Sequence, residues 1–153
     1  MLLRHAKSDH PVGVGDFERP LTERGKRDSQ AAGTWLSRNG YVPDLVICSS
    51  ARRARQTWKH VAAELHPKPS VDYRREVYDA ASPDDLLELV RSAPPTAEVV
   101  TLVGHNPTME GLSAALDPGA AELRTAGIAV HAVDGDWASL EAAPVTSSTT
   151  ARG

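Results

Sequence analysis

The run Val99-Val100-Thr101-Leu102-Val103, followed at once by Gly104-His105-Asn106-Pro107, decides the architecture. It is short, continuous and rich in β-branched residues, and it lacks the in-out alternation of a half-solvated strand. Such a run suits a strand covered on both faces. After it, Pro107 opens a helical stretch with Met109, Leu112 and Leu116 on one stripe, and Asp117-Pro118-Gly119 breaks it. A covered strand that feeds a helix is the unit of a layered α/β fold.

The rest of the chain repeats that unit. Met1 to Arg4 reads as the end of a strand with almost no run-up, either short or continued upstream. Gly13 and Gly15 lie in a polar loop from Ser8 to Arg19. Thr22 then caps a helix that ends near Asn39 with Gly40 as its stop, and Ala32, Trp35 and Leu36 form its apolar face. Asp44 to Cys48 is a second buried strand. Ser49 or Ser50 caps a helix through about Leu65, striped by Trp58, Val61, Ala62 and Leu65. Ser70 to Tyr73 is a brief strand. Ser82-Pro83 opens another helix, with Leu86, Leu87 and Val90 inward and Pro94-Pro95 closing it. Gly127 to Val133 and Trp137 to Leu140 read as a closing hairpin around Asp134-Gly135-Asp136. The expectation is one domain over residues 1–143, three α/β/α layers on a mostly parallel sheet, and a Ser/Thr-rich tail, 144–153, without structure.

Composition narrows the function. With 153 residues, 41% of them hydrophobic and 24% charged, the chain suits a single globular domain with its own core. A net charge of −3 argues against a general nucleic-acid binder, because a phosphate backbone rewards excess Lys and Arg. No run of about 18 apolar residues suggests a membrane span, and Met1-Leu2-Leu3-Arg4-His5 does not read as a signal peptide. Cys48, the single cysteine, allows no internal disulfide and reads as a small buried hydrophobe. These features lead to the expectation of a cytoplasmic protein that binds neither nucleic acid nor membrane.

In parallel α/β sheets, ligands gather at the carboxyl ends of the strands. Three strands here end in polar sequence: Arg4-His5, the stretch from Ser49 onward, and Gly104-His105. Taken singly these are ordinary. A strand-end histidine is most often structural, and Arg52-Arg53-Ala54-Arg55 alone reads as a solvated helix face. Together, Leu3-Arg4-His5-Ala6, Ser49-Ser50-Ala51-Arg52-Arg53-Ala54-Arg55-Gln56-Thr57 and Val103-Gly104-His105-Asn106-Pro107 resemble the histidine phosphatase superfamily, the phosphoglycerate mutase-like fold. The segment Arg19-Pro20-Leu21-Thr22-Glu23-Arg24-Gly25 resembles the approach to that family's first helix. Ala6 stands where the family's name-giving motif has Gly. That change, with Lys7-Ser8 after it, is similar to the small SixA-type branch of phosphohistidine phosphatases.

The resemblance implies that His5 takes a phosphoryl group and then loses it to water. Arg4, Arg53 and His105 would bind the phosphate, and Arg52 and Arg55 would point outward. The residue types suit the chemistry. Phosphoryl transfer is mostly positioning and charge stabilisation, a guanidinium can clamp two oxygens in one plane, and an imidazole with one nitrogen fixed presents the other as nucleophile. Family members acting on phosphate esters carry a carboxylate after the third strand. Glu76 takes the matching place as general acid and Asp79 is the second candidate, unless the site has no dedicated acid. Protein phosphohistidine is the expected substrate, with a small phosphate ester or a non-catalytic phosphate-binding module as alternatives. His10, His60, His66 and His131 read as surface or structural. No spaced ligand cluster predicts a metal, and no Gly-rich loop ending in Lys-Ser/Thr predicts a nucleotide, so the expected cofactor set is empty.

Overall fold

A computed structural model describes all residues, Met1–Gly153. Six strands form one sheet in the order β3-β2-β4-β1-β5-β6. These are β1 (Leu2–Arg4), β2 (Leu45–Ser49), β3 (Ser70–Arg74), β4 (Val100–Gly104), β5 (Ile128–His131) and β6 (Val145–Thr149). The first four run parallel, and β5 is antiparallel to both β1 and β6. The helices are α1 (Glu23–Arg38), α2 (Arg52–Ala62), α3 (Arg75–Asp79), α4 (Pro83–Arg91) and α5 (Thr108–Leu116). This is the three-layer, mostly parallel α/β/α architecture expected from sequence.

The layers follow from the period of two along each strand. Leu3, Val46, Cys48 and Val103 face one way and pack with Ala32 and Leu36 of α1 and with Ala54, Trp58 and Val61 of α2. Their neighbours Leu2, Ile47 and Leu102 face the other way, toward Leu86 and Val90 of α4 and Met109, Leu112 and Leu116 of α5. Each fully buried side chain of this kind contributes about 1.5–3 kcal/mol of transfer free energy.

Local signals set the helix ends. Thr22 Oγ1 accepts the Gly25 N–H at 2.9 Å, and Gly40 leaves α1 at φ +74°. Ser82 and Asp85 form a reciprocal capping box at the start of α4. Gly25 is required by contact: a Cβ there would lie 2.1 Å from the Lys7 carbonyl oxygen, so only glycine lets α1 press against the end of β1.

Three expectations need correction. The 144–153 tail is not structureless, because Val145–Thr149 pairs antiparallel with β5 as the sheet edge. Serine and threonine are polar, but an edge strand need bury only part of its surface, and β-branched Thr146 and Thr149 suit extended backbone. The hairpin partner of β5 is therefore β6, whereas Trp137–Ser139 is a 3₁₀ turn whose Trp137 packs beside the α4–α5 core. Finally, no serine side chain caps α2: Ala51 is its N-cap residue, and Ser49 is turned to a different task described below.

Candidate active site

The sheet brings the three polar strand ends together. The His5 N–H continues the β1–β4 ladder one step beyond β1 by donating to Gly104 O at 2.9 Å, which sets His5 beside His105. Their ring centroids are 5.1 Å apart. The Ala6 N–H donates to Thr57 Oγ1 at 3.0 Å, and that hydroxyl donates to Arg53 O at 2.7 Å. Thr57, one turn along α2, thus fastens the end of β1 to the turn that carries Arg53. Ala6 is fully buried with Leu21 and Ala126, which explains why its methyl is accommodated.

The tautomer of His5 is fixed by geometry. Its Nδ1 lies 2.8 Å from the Ala6 carbonyl, which can only accept, so Nδ1 carries the proton and Nε2 holds the lone pair. Nε2 has no hydrogen-bond partner. Burial, with a smaller push from His105, Arg53 and Arg4, lowers the His5 pKa to about 3. His105 is lowered to about 4 by burial and then by Arg53. Both rings are therefore neutral at physiological pH.

His105 Nε2 is 2.7 Å from Ser49 Oγ, which also accepts the Ala51 N–H at 3.2 Å. Ser49 thus orients the histidine instead of closing α2, and the first N–H groups of that helix stay open to an anion. Arg4 Nη1 donates to Leu123 O at 3.2 Å, and Asn106 Nδ2 donates to the same carbonyl at 2.8 Å. Asn106 therefore anchors the 123 loop against α5.

Six buried side-chain polar atoms lack a partner, and three of them are Arg4 Nε, Arg53 Nε and His105 Nδ1. Buried polar atoms are nearly always satisfied, and half of the exceptions fall on this one cluster. The buried guanidinium of Arg53, the half-buried one of Arg4 and an open helix start beside them form a site suited to a multiply charged oxyanion.

The remaining sequence candidates lie elsewhere. Glu76 is exposed, and both its oxygens receive Arg74, at 3.2 Å each, which holds its carboxyl below the usual range. Asp79 is exposed and pairs with Arg75 at 3.3 Å. No hydrogen bond joins either carboxylate to His5, Arg4, Arg53 or His105. Arg52 and Arg55 are exposed, as expected, and Arg55 Nε donates to Ser50 O at 2.8 Å. His131 is structural, held between Ser113 Oγ at 2.9 Å and Ala143 O at 2.7 Å. His10 is exposed and meets the Arg19 guanidinium. No group of three or more His, Cys, Asp or Glu side chains could hold a metal ion. A cavity of about 620 Å³ lies at the opposite end of the sheet among Met1, Val99, Trp137 and Leu140, and none of the candidate site residues lines it.

Sequence reasoning missed Asp16 and Tyr78. Asp16 lies on a 3₁₀ turn (Asp16–Glu18) in the loop before α1, and its carboxylate accepts from Arg53 Nη2 at 3.1 Å and from the Tyr78 hydroxyl at 2.7 Å. The Tyr78 ring stands edge-on to His105, with centroids 5.6 Å apart. No periodicity marks a loop aspartate; the available signal was its place three residues before Arg19-Pro20-Leu21-Thr22.

A model of the histidine phosphatase superfamily (branch 1) matches residues 1–77, which includes His5 and the start of α2. An uncharacterised Mycobacterium tuberculosis protein is 37% identical over 150 residues, covering 91% of this chain and 92% of its own length. The chain belongs to the histidine phosphatase superfamily. A Nakamurella multipartitia protein assigned by name as a phosphohistidine phosphatase, SixA, is 32% identical and superposes with a TM-score of 0.82 over 98% of this chain and 95% of that one. A protein histidine phosphatase SixA complexed with tungstate shares the fold, with a TM-score of 0.77 over 97% of this chain and 94% of that one, at 22% identity. The chain is accordingly a phosphatase of this superfamily with the phosphoglycerate mutase-like fold, and its substrate is a phosphorylated compound. No helix is long and apolar enough to cross a membrane.

Proposed function

We propose that this phosphatase removes phosphoryl groups from histidine side chains of proteins through a covalent intermediate on His5. The observation that carries the mechanism is the Nδ1–H bond of His5 to Ala6 O, which leaves Nε2 unprotonated and unpartnered beside Arg4, Arg53 and His105. In the first step Nε2 attacks phosphorus and the substrate's P–N bond breaks. The departing imidazole takes a proton from solvent. In the second step water attacks phosphorus, the bond to Nε2 breaks, orthophosphate leaves, and the water's proton goes to solvent. Arg4 and Arg53 stabilise the equatorial oxygens. With Ser49 donating its hydroxyl proton to His105 Nε2, the proton on His105 Nδ1 is free for a phosphoryl oxygen.

The choice of phosphohistidine over a phosphate ester rests on the acids. An alkoxide leaving group needs a proton donor in place. Glu76 is held ionised by Arg74, and Asp16 is lowered to about 2, chiefly by the Tyr78 hydroxyl with help from Arg53 and Arg19. Neither is protonated near neutral pH. Imidazole, with a pKa of about 6.5, draws its proton from water readily.

The deciding experiment compares turnover of a phosphohistidine-bearing protein with a panel of phosphomonoesters, with and without EDTA. The reading expects clear preference for phosphohistidine, undiminished by chelation. Preference for an ester would overturn the substrate assignment, and loss of turnover restored by a divalent ion would overturn the metal-independent chemistry. The reading keeps the cytoplasmic setting expected from the lone cysteine, which fractionation of producing cells checks.

A further inference from the structure

Asp16 is exposed, yet it is among the most connected side chains near the site. Its loop is closed at the base by the Ser8–Leu21 bridge and by the Asp9 N–H on Pro20 O at 2.8 Å. From that base the loop delivers Asp16 to Arg53. Arg53 Nη1 donates to the Asp16 main-chain oxygen at 2.7 Å, and Nη2 donates to Oδ2 at 3.1 Å. Tyr78 donates to the same Oδ2 at 2.7 Å, and Arg19 Nε donates to Oδ1 at 3.0 Å. The carboxylate is thus fixed from α3 and from its own loop while it grips a guanidinium on α2.

A guanidinium can present two parallel N–H bonds along either of two edges: its far end, with both terminal nitrogens, or a side, with Nε and one terminal nitrogen. Asp16 occupies the far end of Arg53. Arg53's side chain is only 7% exposed, and its Nε is buried with no partner. The side edge is therefore the one left for a ligand, and its orientation is set by what grips the end. We propose that Asp16 is a positioning residue, which fixes the plane of Arg53 so that the Nε edge meets two phosphoryl oxygens side-on. The inference rests on the proposed phosphoryl site and adds the residue that aligns it. Tyr78 belongs to the same device, because its hydroxyl holds the carboxylate in place.

Tungstate serves as the probe, since its binding needs no knowledge of the substrate. Its affinity is measured by calorimetry for the wild type, Asp16→Ala, Tyr78→Phe, Arg53→Ala and the Asp16→Ala/Arg53→Ala double variant, with thermal melting of each. Asp16→Ala is expected to weaken binding on the order of tenfold to a hundredfold, within the range of coupled neighbours. Tyr78→Phe should weaken it less, by a few-fold. The loss from Asp16→Ala should vanish when Arg53 is already alanine, a pattern that general loosening of the loop would not produce. Binding in Asp16→Ala as tight as, or tighter than, wild type would overturn the proposal, as would an equal loss in the Arg53→Ala background. Should Asp16→Ala fail to fold, Tyr78→Phe decides, and an unchanged affinity there overturns the proposal. A wild type that does not bind tungstate, or binding undiminished by Arg53→Ala, would instead overturn the phosphoryl site itself.

Discussion

Replacing Arg53 with alanine should cut kcat/KM by about 100- to 1000-fold, while Arg52→Ala and Arg55→Ala each cost no more than about threefold. The magnitude follows from the burial and bonding of the three side chains. Arg53 is 6% exposed and has a free Nε edge, so its loss removes two charge-assisted hydrogen bonds, each contributing about 1.5–3 kcal/mol. The Asp16 carboxylate, left without its guanidinium, repels the substrate and adds to that loss, while water entering the vacated space restores part of the lost solvation. A net loss of about 2.7–4 kcal/mol is the measured scale for one preorganised donor. Arg52 is exposed with no ion pair, and exposed Arg55 reaches only Ser50 O, so neither can approach that figure. Arg53→Lys should recover only part of the loss, because an ammonium keeps the charge without the planar fork. Steady-state kinetics on a phosphohistidine protein, with circular dichroism to verify folding, measure all four variants. A larger loss at Arg52 or Arg55 would refute the assignment, and full activity in Arg53→Lys would refute the side-on clamp.

His5→Ala should abolish turnover and the acid-labile phosphoenzyme trapped with labelled substrate, yet still bind tungstate; retained turnover would exclude His5 as nucleophile. Glu76→Gln should leave phosphohistidine turnover within about twofold, and a loss in the general-acid range of about 100-fold or more would restore Glu76 to the chemistry. Stability should fall as pH drops from about 7 toward 4. The His5 and His105 pKa values lie near 3 and 4 in the folded chain against 6.5 unfolded, so the unfolded state binds more protons in that window. Thermal melting across pH checks this, with His105→Asn expected to flatten the profile and an unchanged slope counting against a buried neutral His105.

The sheet and the four residues gathered at its strand ends were legible in the sequence for one reason. Arg4, His5, Arg53 and His105 lie just past strand ends or on the helix turn that follows, so a strand boundary read from hydrophobic runs also locates them. Asp16 and Tyr78 escaped because contacts between a loop and a short helix at a separation of 62 residues have no period to betray them. Glu76 shows a different limit of the sequence. Its place after the third strand matches the family, but Arg74, two residues earlier, supplies the partner that draws its carboxylate away. The strand β6 was hidden by composition, since Thr146-Ser147-Ser148-Thr149 looks like linker until β5 offers it an edge.

The position of β1 has a consequence for how the molecule comes into being. The strand that carries His5 precedes its sheet neighbours β4 and β5 by about a hundred residues or more in the sequence, yet it lies between them in the sheet. Until β4 has been made, His5 lacks its Gly104 hydrogen bond and His105 beside it. No amino-terminal fragment can therefore assemble the centre, and loop closures of that span are costly and slow the final docking. The same insertion of β1 beside β4 that completes the sheet thus also completes the surroundings of His5.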